Sequence, residues 1–163
     1  MATQLKNLSD FSHTTIPNGN AYKFAIAVAE WNAEVTGSLY NGALETLLKH
    51  GVSADNIISV AVPGSFELTA AAEILLQKHK NLDGVICLGC VIQGETKHFD
   101  FICDAVANGI TQVGIKHAKP VIFGVLTTND QEQALDRAGG KHGNKGDEAA
   151  ITALKMAELS ATV

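Results

Sequence analysis

The chain has 163 residues, of which 46% are hydrophobic and 18% charged, and its formal net charge at pH 7 is −5. This length and composition predict one folded domain with a packed core and exclude a disordered chain. The negative charge argues against nucleic acid and anionic membranes as partners, so any anion site on this chain has to be local.

The first 22 residues are polar and irregular, and we interpret them as an N-terminal arm that precedes a single α/β domain over residues 23–163. The chain begins without the charged and apolar segments of a signal peptide. It also has no apolar run long enough to span a bilayer. We therefore expect a soluble, cytoplasmic protein.

From residue 23 onward, strand patterns alternate with helical patterns. We predict buried strands at about residues 23–29, 57–62, 85–92 and 120–126. Helices are predicted at about residues 34–50, 65–80, 99–117, 131–138 and 145–159, with a break at residues 139–140. Because strand–helix–strand crossovers are right-handed, these elements predict one parallel sheet covered by helices on both faces.

The most informative segment runs from Gly89 to Asp100, where an apolar strand passes through a polar turn at Gly94 into a helix. The turn places backbone N–H groups and the Thr96 hydroxyl at a helix N-terminus, which suits a phosphate. His98 follows within one helical turn of that anion. This arrangement predicts acid–base chemistry on a phosphorylated small molecule. The alternative is a plain glycine turn with a threonine cap and a surface histidine.

Ligands of such sheets bind at the carboxyl ends of the strands, and other candidate residues stand there. Trp31, the only tryptophan, is either a ring for stacking a heterocycle or a packed plug. Glu67 either complements a helix dipole or accepts hydrogen bonds from a polyhydroxylated ligand. Arg137 is either a phosphate clamp or an exposed helix-end charge. Phe123 lies in the middle of a strand, where a core position is usual, and the glycine- and lysine-rich residues 139–146 form either an anion-binding loop or a connector.

Other motifs are absent or ambiguous. Neither a G-x-G-x-x-G sequence nor a P-loop is present, which argues against dinucleotide and ATP binding. Cys87 and Cys90 have C-x-x-C spacing but lie inside a strand, whose alternating faces separate them. We interpret these two residues and Cys103 as reduced core thiols, with a redox motif as the alternative.

Six segments between residues 23 and 159 resemble the lumazine synthase family of riboflavin biosynthesis, in order and with family-like spacing. They are residues 31–32 (WN), 63–67 (PGSFE), 94–99 (GETKHF), 120–127 (PVIFGVLT), 133–139 (QALDRAG) and 141–146 (KHGNKG). Each segment alone is weak, whereas the combination is specific. The first aromatic residue, commonly Phe in the family, is Trp31 here, which changes the stacking surface but not its role.

The resemblance implies a flavodoxin-like, three-layer α/β/α sandwich with a central parallel sheet. It also implies a transferase that condenses 5-amino-6-ribitylaminouracil with 3,4-dihydroxy-2-butanone 4-phosphate. The products are 6,7-dimethyl-8-ribityllumazine, phosphate and water, and neither a metal nor an organic cofactor is required.

The resemblance further implies roles for single residues. The pyrimidine and the ribityl chain contact Trp31, Asn32, Ser65, Phe66, Glu67 and the backbone of Cys90, Val91 and Ile92. The phosphate is bound by Gly94, Glu95, Thr96 and Arg137, and His98 moves protons. Since sites of this family lie between the subunits of a pentamer, Phe123, Arg137 and Lys145 come from a neighbouring subunit.

For the assembly, the resemblance allows pentamers, decamers or an icosahedral shell of sixty subunits, and it makes riboflavin synthase a candidate partner. The short link from Arg137 to Lys145, without an insertion, favours the shell. The resemblance also implies that part of the N-terminal arm pairs with the sheet of a neighbouring subunit. One competing hypothesis is a non-catalytic flavin-binding, lumazine-binding or shell-forming protein, which would have no use for His98 or Arg137. Another is an FMN-binding flavodoxin, but residues 30–33 (EWNA) do not form the hydroxyl-rich loop that it needs.

Overall fold

A four-stranded parallel sheet forms the centre of the computed structural model, which describes residues 9–11, 13 and 15–163. Its strands are β1 (Phe24–Ala29), β2 (Ile57–Val62), β3 (Gly84–Ile92) and β4 (Val121–Thr128), in the order β2-β1-β3-β4. The register aligns Phe24 with both Ile57 and Gly84, and Val85 with Val121. The predicted parallel sheet is confirmed.

Helices cover both faces of the sheet. On one face, α1 (Ala33–Lys49) and α5 (Lys145–Thr162) bury a core that includes Phe24 and Ile26. On the other face, α2 (Leu68–Lys78) and α3 (His98–His117) pack over the side chains that alternate with these along the strands, such as Ala25 and Ala27. The result is the expected three-layer α/β/α sandwich.

The two helices on the first face touch backbone to backbone. A Cβ atom on Gly146 would overlap the carbonyl oxygen of Leu39 in α1. A Cβ atom on Gly42 would likewise be crowded by the Asp147 and Asn144 side chains. Only glycine at residue 146 permits this approach, so the contact fixes the start of α5 against the middle of α1.

An ion-pair cluster joins the two helices of the second face. Glu73 in α2 binds Lys116 and lies with its Oε2 atom 2.8 Å from Nε2 of His117, both near the end of α3. Hydrogen bonds from Lys116 and then from His117 lower the pKa of Glu73 to about 2. The sequence pattern alone does not predict this cluster.

The elements and cysteines of the structure differ from the sequence predictions in three places. The predicted helix to about residue 138 ends earlier, as α4 (Gln131–Asp136). The predicted break at 139–140 and connector over 139–146 contain an antiparallel hairpin of β5 (Ala138–Gly140) and β6 (Gly143–Asn144). Residues 65–67 form a 3-10 turn ahead of α2. The prediction of a core thiol is wrong for Cys103, which is only partly buried on α3, whereas Cys87 and Cys90 are buried on opposite faces of the sheet.

The described part of the predicted arm contacts its own chain. Gly19 N donates to His50 O over 2.7 Å at the end of α1. The Ser9 hydroxyl donates to Asn144 O and accepts from Asn144 N. The predicted pairing with a neighbouring subunit also concerns residues 1–8, 12 and 14, which lie outside the described residues, and it stays a prediction. None of the described helices is long and apolar enough to cross a membrane.

Candidate active site

A cleft of about 520 Å³ opens at the carboxyl ends of β1, β2 and β3. The chain passes from β1 to β2 on one side of β1 and then returns to β3 on its other side, so the cleft lies where the strand order reverses. Open α/β sheets bind ligands at such reversal points. The cleft is lined by Trp31, Asn32, Gly64, Ser65, Phe66, Glu67, Cys90, Val91, Ile92, His98 and Ile102.

The Trp31 ring forms one wall of this cleft and is 69% exposed. Its backbone is tied to the end of the neighbouring strand, because Trp31 N donates to Pro63 O over 3.2 Å. A Cβ atom on Gly64 would lie 3.3 Å from Cε3 of the ring and 3.2 Å from Oε2 of Glu67. Gly64 therefore lets an aromatic face and a carboxylate approach each other, and the exposed ring argues against a packed plug.

Another wall of the cleft is the end of β3. Cys90 is buried, and desolvation raises the pKa of its thiol to about 11, so at neutral pH this thiol is protonated and a poor nucleophile. Ser65, also buried, places its Oγ atom 3.5 Å from Cys90 O. This wall therefore offers backbone and hydroxyl groups to a ligand rather than a reactive sulfur.

Asn32 connects the two walls. Its backbone is left-handed, with φ 59° and ψ 47°, and it caps the start of α1. Its side-chain Nδ2 atom donates to Cys90 O over 3.0 Å. The residue that follows Trp31 is therefore hydrogen-bonded to β3, another part of the cleft lining.

The polar turn after β3 leads from the cleft to α3. His98 is the first residue of α3 and lies exposed at the edge of the cleft, and its N–H donates to Thr96 Oγ1 over 3.3 Å. Gly94, Glu95 and Thr96 are all exposed, and a Cβ atom on Gly94 would meet nothing within 4 Å. The turn thus leaves open space for an anion beside an imidazole.

The remaining predicted site residues line a second cleft of about 490 Å³ along β4. Phe123 is exposed there, not in the core, because β4 is an edge strand of the sheet. Arg137 donates from Nη1 to His142 O over 2.9 Å and lies 2.8 Å from Glu148 Oε1. Lys145 Nζ lies 3.2 Å from the other oxygen of Glu148.

The two clefts share no lining residue among the described residues. The first is lined by two aromatic rings, a carboxylate and an imidazole, and its described lining contains no lysine or arginine. The second contains Arg137, Lys141 and Lys145. Within residues 9–11, 13 and 15–163, no group of three His, Cys, Asp or Glu side chains is placed to hold a metal ion.

Two residues that shape these clefts are not predicted from the sequence. Gly64 belongs to the segment 63–67, but its contact with the Trp31 ring depends on the packing of two loops. Glu148 stands three residues after Lys145 on a predicted helix, a spacing that places the two side chains together. That spacing is a signal that could have identified Glu148.

Comparison with known proteins identifies close relatives along nearly the whole chain. The family model for 6,7-dimethyl-8-ribityllumazine synthase matches residues 21–161. A protein of that name from Cytophaga hutchinsonii is 65% identical over 156 residues, which cover 96% of this chain and 97% of the relative. Another, from Porphyromonas gingivalis, is 57% identical over 159 residues and covers 98% of each. A third, from Flavobacterium johnsoniae, is 55% identical, and the match covers 98% of this chain and 83% of the relative.

Proposed function

Because the chain belongs to the 6,7-dimethyl-8-ribityllumazine synthase family, we propose that it is a transferase of riboflavin biosynthesis. It condenses 5-amino-6-ribitylaminouracil with 3,4-dihydroxy-2-butanone 4-phosphate and releases 6,7-dimethyl-8-ribityllumazine, phosphate and water. The observation that carries this proposal is the convergence of Trp31, Glu67 and His98 on one cleft at the reversal point of the sheet.

The pyrimidine substrate occupies the first cleft. Its ring stacks on the exposed face of Trp31, and Asn32, Ser65, Phe66 and Glu67 surround the ring and the ribityl chain. The Glu67 carboxylate accepts hydrogen bonds from hydroxyl or N–H groups, which suits a polyhydroxylated ligand. The backbone of Cys90, Val91 and Ile92 contacts the ring, in keeping with a wall whose thiol is protonated.

The phosphorylated substrate binds beside the polar turn. Gly94, Glu95 and Thr96 hold its phosphate near the start of α3, where the positive end of the helix dipole favours an anion. The arylamine attacks the ketone to give an imine, phosphate leaves by elimination, and the second nitrogen closes the ring. His98 carries the protons, a contribution of about 10² in rate, while most of the barrier reduction comes from orienting two organic partners.

A neighbouring subunit completes the site. The first cleft brings stacking, hydrogen-bonding and proton-transfer groups, and the second brings the cations Arg137 and Lys145 together with Phe123. A phosphate bound without a cation is costly to desolvate, so we place the second cleft of one subunit against the first cleft of another. This arrangement predicts a pentamer of cytoplasmic subunits, with the short 137–145 link favouring a shell of sixty that could enclose riboflavin synthase.

The N-terminal arm contributes to that assembly by pairing with the neighbour's sheet. Deleting the residues before Tyr22 should lower both the sedimentation coefficient and the activity, because each site then loses its second subunit. A truncated protein with unchanged sedimentation and full activity would show that the arm is a passive tail.

The activity itself is tested by mixing the two substrates with the protein and following lumazine absorbance and phosphate release together. The uncatalysed condensation, measured with heat-denatured protein, is the control. We expect both signals to rise faster with native protein and in equal amounts. Binding of lumazine without acceleration would identify a non-catalytic binder and refute the proposal.

A further inference from the structure

We infer that Asn32 is a positioning residue whose side-chain amide sets the spacing between Trp31 and the end of β3. The identity of the ligand rests on the proposed function, whereas the positioning concerns the chain alone. Three observations support it: the backbone conformation of Asn32, the partner of its side chain, and the place of that partner in the sheet.

The backbone of Asn32 is in a region that few residues adopt. Among the described residues other than glycine, only Asn32 and Ala118 have a positive φ, at 59° and 48°. Asparagine tolerates the left-handed region better than other side chains. Asn32 follows Trp31, whose N–H is hydrogen-bonded to Pro63 O. It also precedes α1, where Val35 N donates to Asn32 O over 2.9 Å.

The side chain of Asn32 replaces strand pairing where that pairing stops. The β1–β3 ladder ends at Val28 and Leu88, whereas β3 continues to Ile92. Beyond the last pair, Nδ2 of Asn32 donates to Cys90 O over 3.0 Å, and Ser65 Oγ lies 3.5 Å from the same oxygen. The Cys90 carbonyl therefore accepts hydrogen bonds from the segments that follow β1 and β2, which attaches both segments to the end of β3.

This hydrogen bond joins two residues that line the cleft in which the pyrimidine is proposed to bind. Trp31 precedes Asn32 in the chain, and Cys90 lies at the end of β3. A ring that stacks on Trp31 and contacts the β3 backbone needs a fixed distance between these two parts of the lining. Loss of this hydrogen bond should therefore weaken binding of the ribityl substrate. Binding of the phosphorylated substrate, which the turn at Gly94 holds, should be nearly unaffected.

Two variants separate the amide from the backbone. Asn32→Gly keeps the left-handed backbone and removes the side chain. Asn32→Asp keeps the size, but its carboxylate cannot donate to a carbonyl. Ala118→Gly is the matched control, because it relieves the other left-handed residue at the C-terminal end of α3, outside both clefts.

The readouts are the KM for each substrate and the fluorescence of Trp31, which is the only tryptophan in the chain. Loss of one neutral hydrogen bond corresponds to a change of roughly 2- to 13-fold. We expect both Asn32 variants to raise the KM for the ribityl substrate by about that factor, with the KM for the phosphorylated substrate within about 2-fold. Acrylamide quenching of Trp31 should change in both variants and stay unchanged in Ala118→Gly.

Wild-type quenching of Trp31 in Asn32→Gly, measured without substrate, would overturn the inference even if the KM for the ribityl substrate rises, because Asn32 is also proposed to contact that substrate. An equal rise in KM for both substrates would overturn it as well. If Asn32→Asp does not fold, Asn32→Gly alone decides, since glycine is tolerated at this backbone conformation. An inactive wild-type protein would refute the proposed function, yet the quenching comparison would still test the positioning.

Discussion

Replacing Arg137 with lysine tests whether the second cleft binds phosphate through geometry as well as charge. Nη1 of Arg137 donates to His142 O and lies beside Glu148 Oε1, and both charged side chains are largely buried, at 15% and 16% exposure. Nε and Nη2 carry three further N–H groups that no described residue accepts from, and under the proposed function these groups bind the phosphate as a fork.

Lysine cannot reproduce this arrangement. Its ammonium group has three N–H donors, and if two serve His142 and Glu148, one remains for the phosphate. At least one charge-assisted hydrogen bond is then lost, which costs about 1.5 to 3 kcal/mol. We expect the KM for the phosphorylated substrate to rise roughly 10- to 100-fold, while the KM for the ribityl substrate stays within about 3-fold.

The assay varies one substrate while the other is saturating, so that the two KM values are obtained separately. Glu148→Gln is the comparison variant, because it keeps the guanidinium fork and removes the carboxylate that Arg137 shares with Lys145. We expect no selective loss of the phosphorylated substrate in that variant. An equal rise in the KM for both substrates in Arg137→Lys would refute phosphate binding by Arg137 and would assign this residue a structural role.

Three further changes have defined outcomes. His98→Ala should lower single-turnover rates at least about 10-fold with unchanged sedimentation, and wild-type rates would remove His98 as the proton carrier. Gly64→Ala should raise the KM for the ribityl substrate several-fold, since the new Cβ atom would press on Trp31 and Glu67, and unchanged KM and tryptophan fluorescence would contradict this. Glu73→Gln should lower the melting temperature at pH 6. The difference in melting temperature from wild type should shrink as pH falls from 4.5 towards 2, because the pKa of Glu73 is about 2 in the folded state and 4.5 ordinarily. A difference independent of pH would contradict the ion-pair explanation.

The sheet and its helices are predictable because each strand is a short apolar run bounded by polar turns. Burial on both faces makes such runs continuous rather than alternating, as in Phe24–Ala29. The β5–β6 hairpin is not predictable in this way, since Gly139, Gly140 and Gly143 carry no hydrophobic alternation and indicate a break. Its pairing depends instead on contacts with α1, including the bond from Ser38 Oγ to Ala138 O.

The site is predictable at the level of strand ends and not at the level of single hydrogen bonds. Trp31, Glu67 and His98 share a cleft because the carboxyl ends of parallel strands meet at one edge. The hydrogen bond from Asn32 to Cys90 joins residues 58 positions apart. It depends on a left-handed backbone at Asn32 that the sequence does not predict. The division of the candidate residues between two clefts likewise comes from the position of β4 at the sheet edge.

The backbone contact between α1 and α5 links the two clefts within one chain. Helix α1 starts directly after Asn32 at the first cleft, and α5 starts at Lys145 at the second. Because Gly146 has no side chain, its backbone packs directly on Leu39 and holds the start of α5 close to α1. Protein engineering that alters the lining of either cleft therefore has to retain Gly42 and Gly146, since a side chain at either position would push the two helices apart.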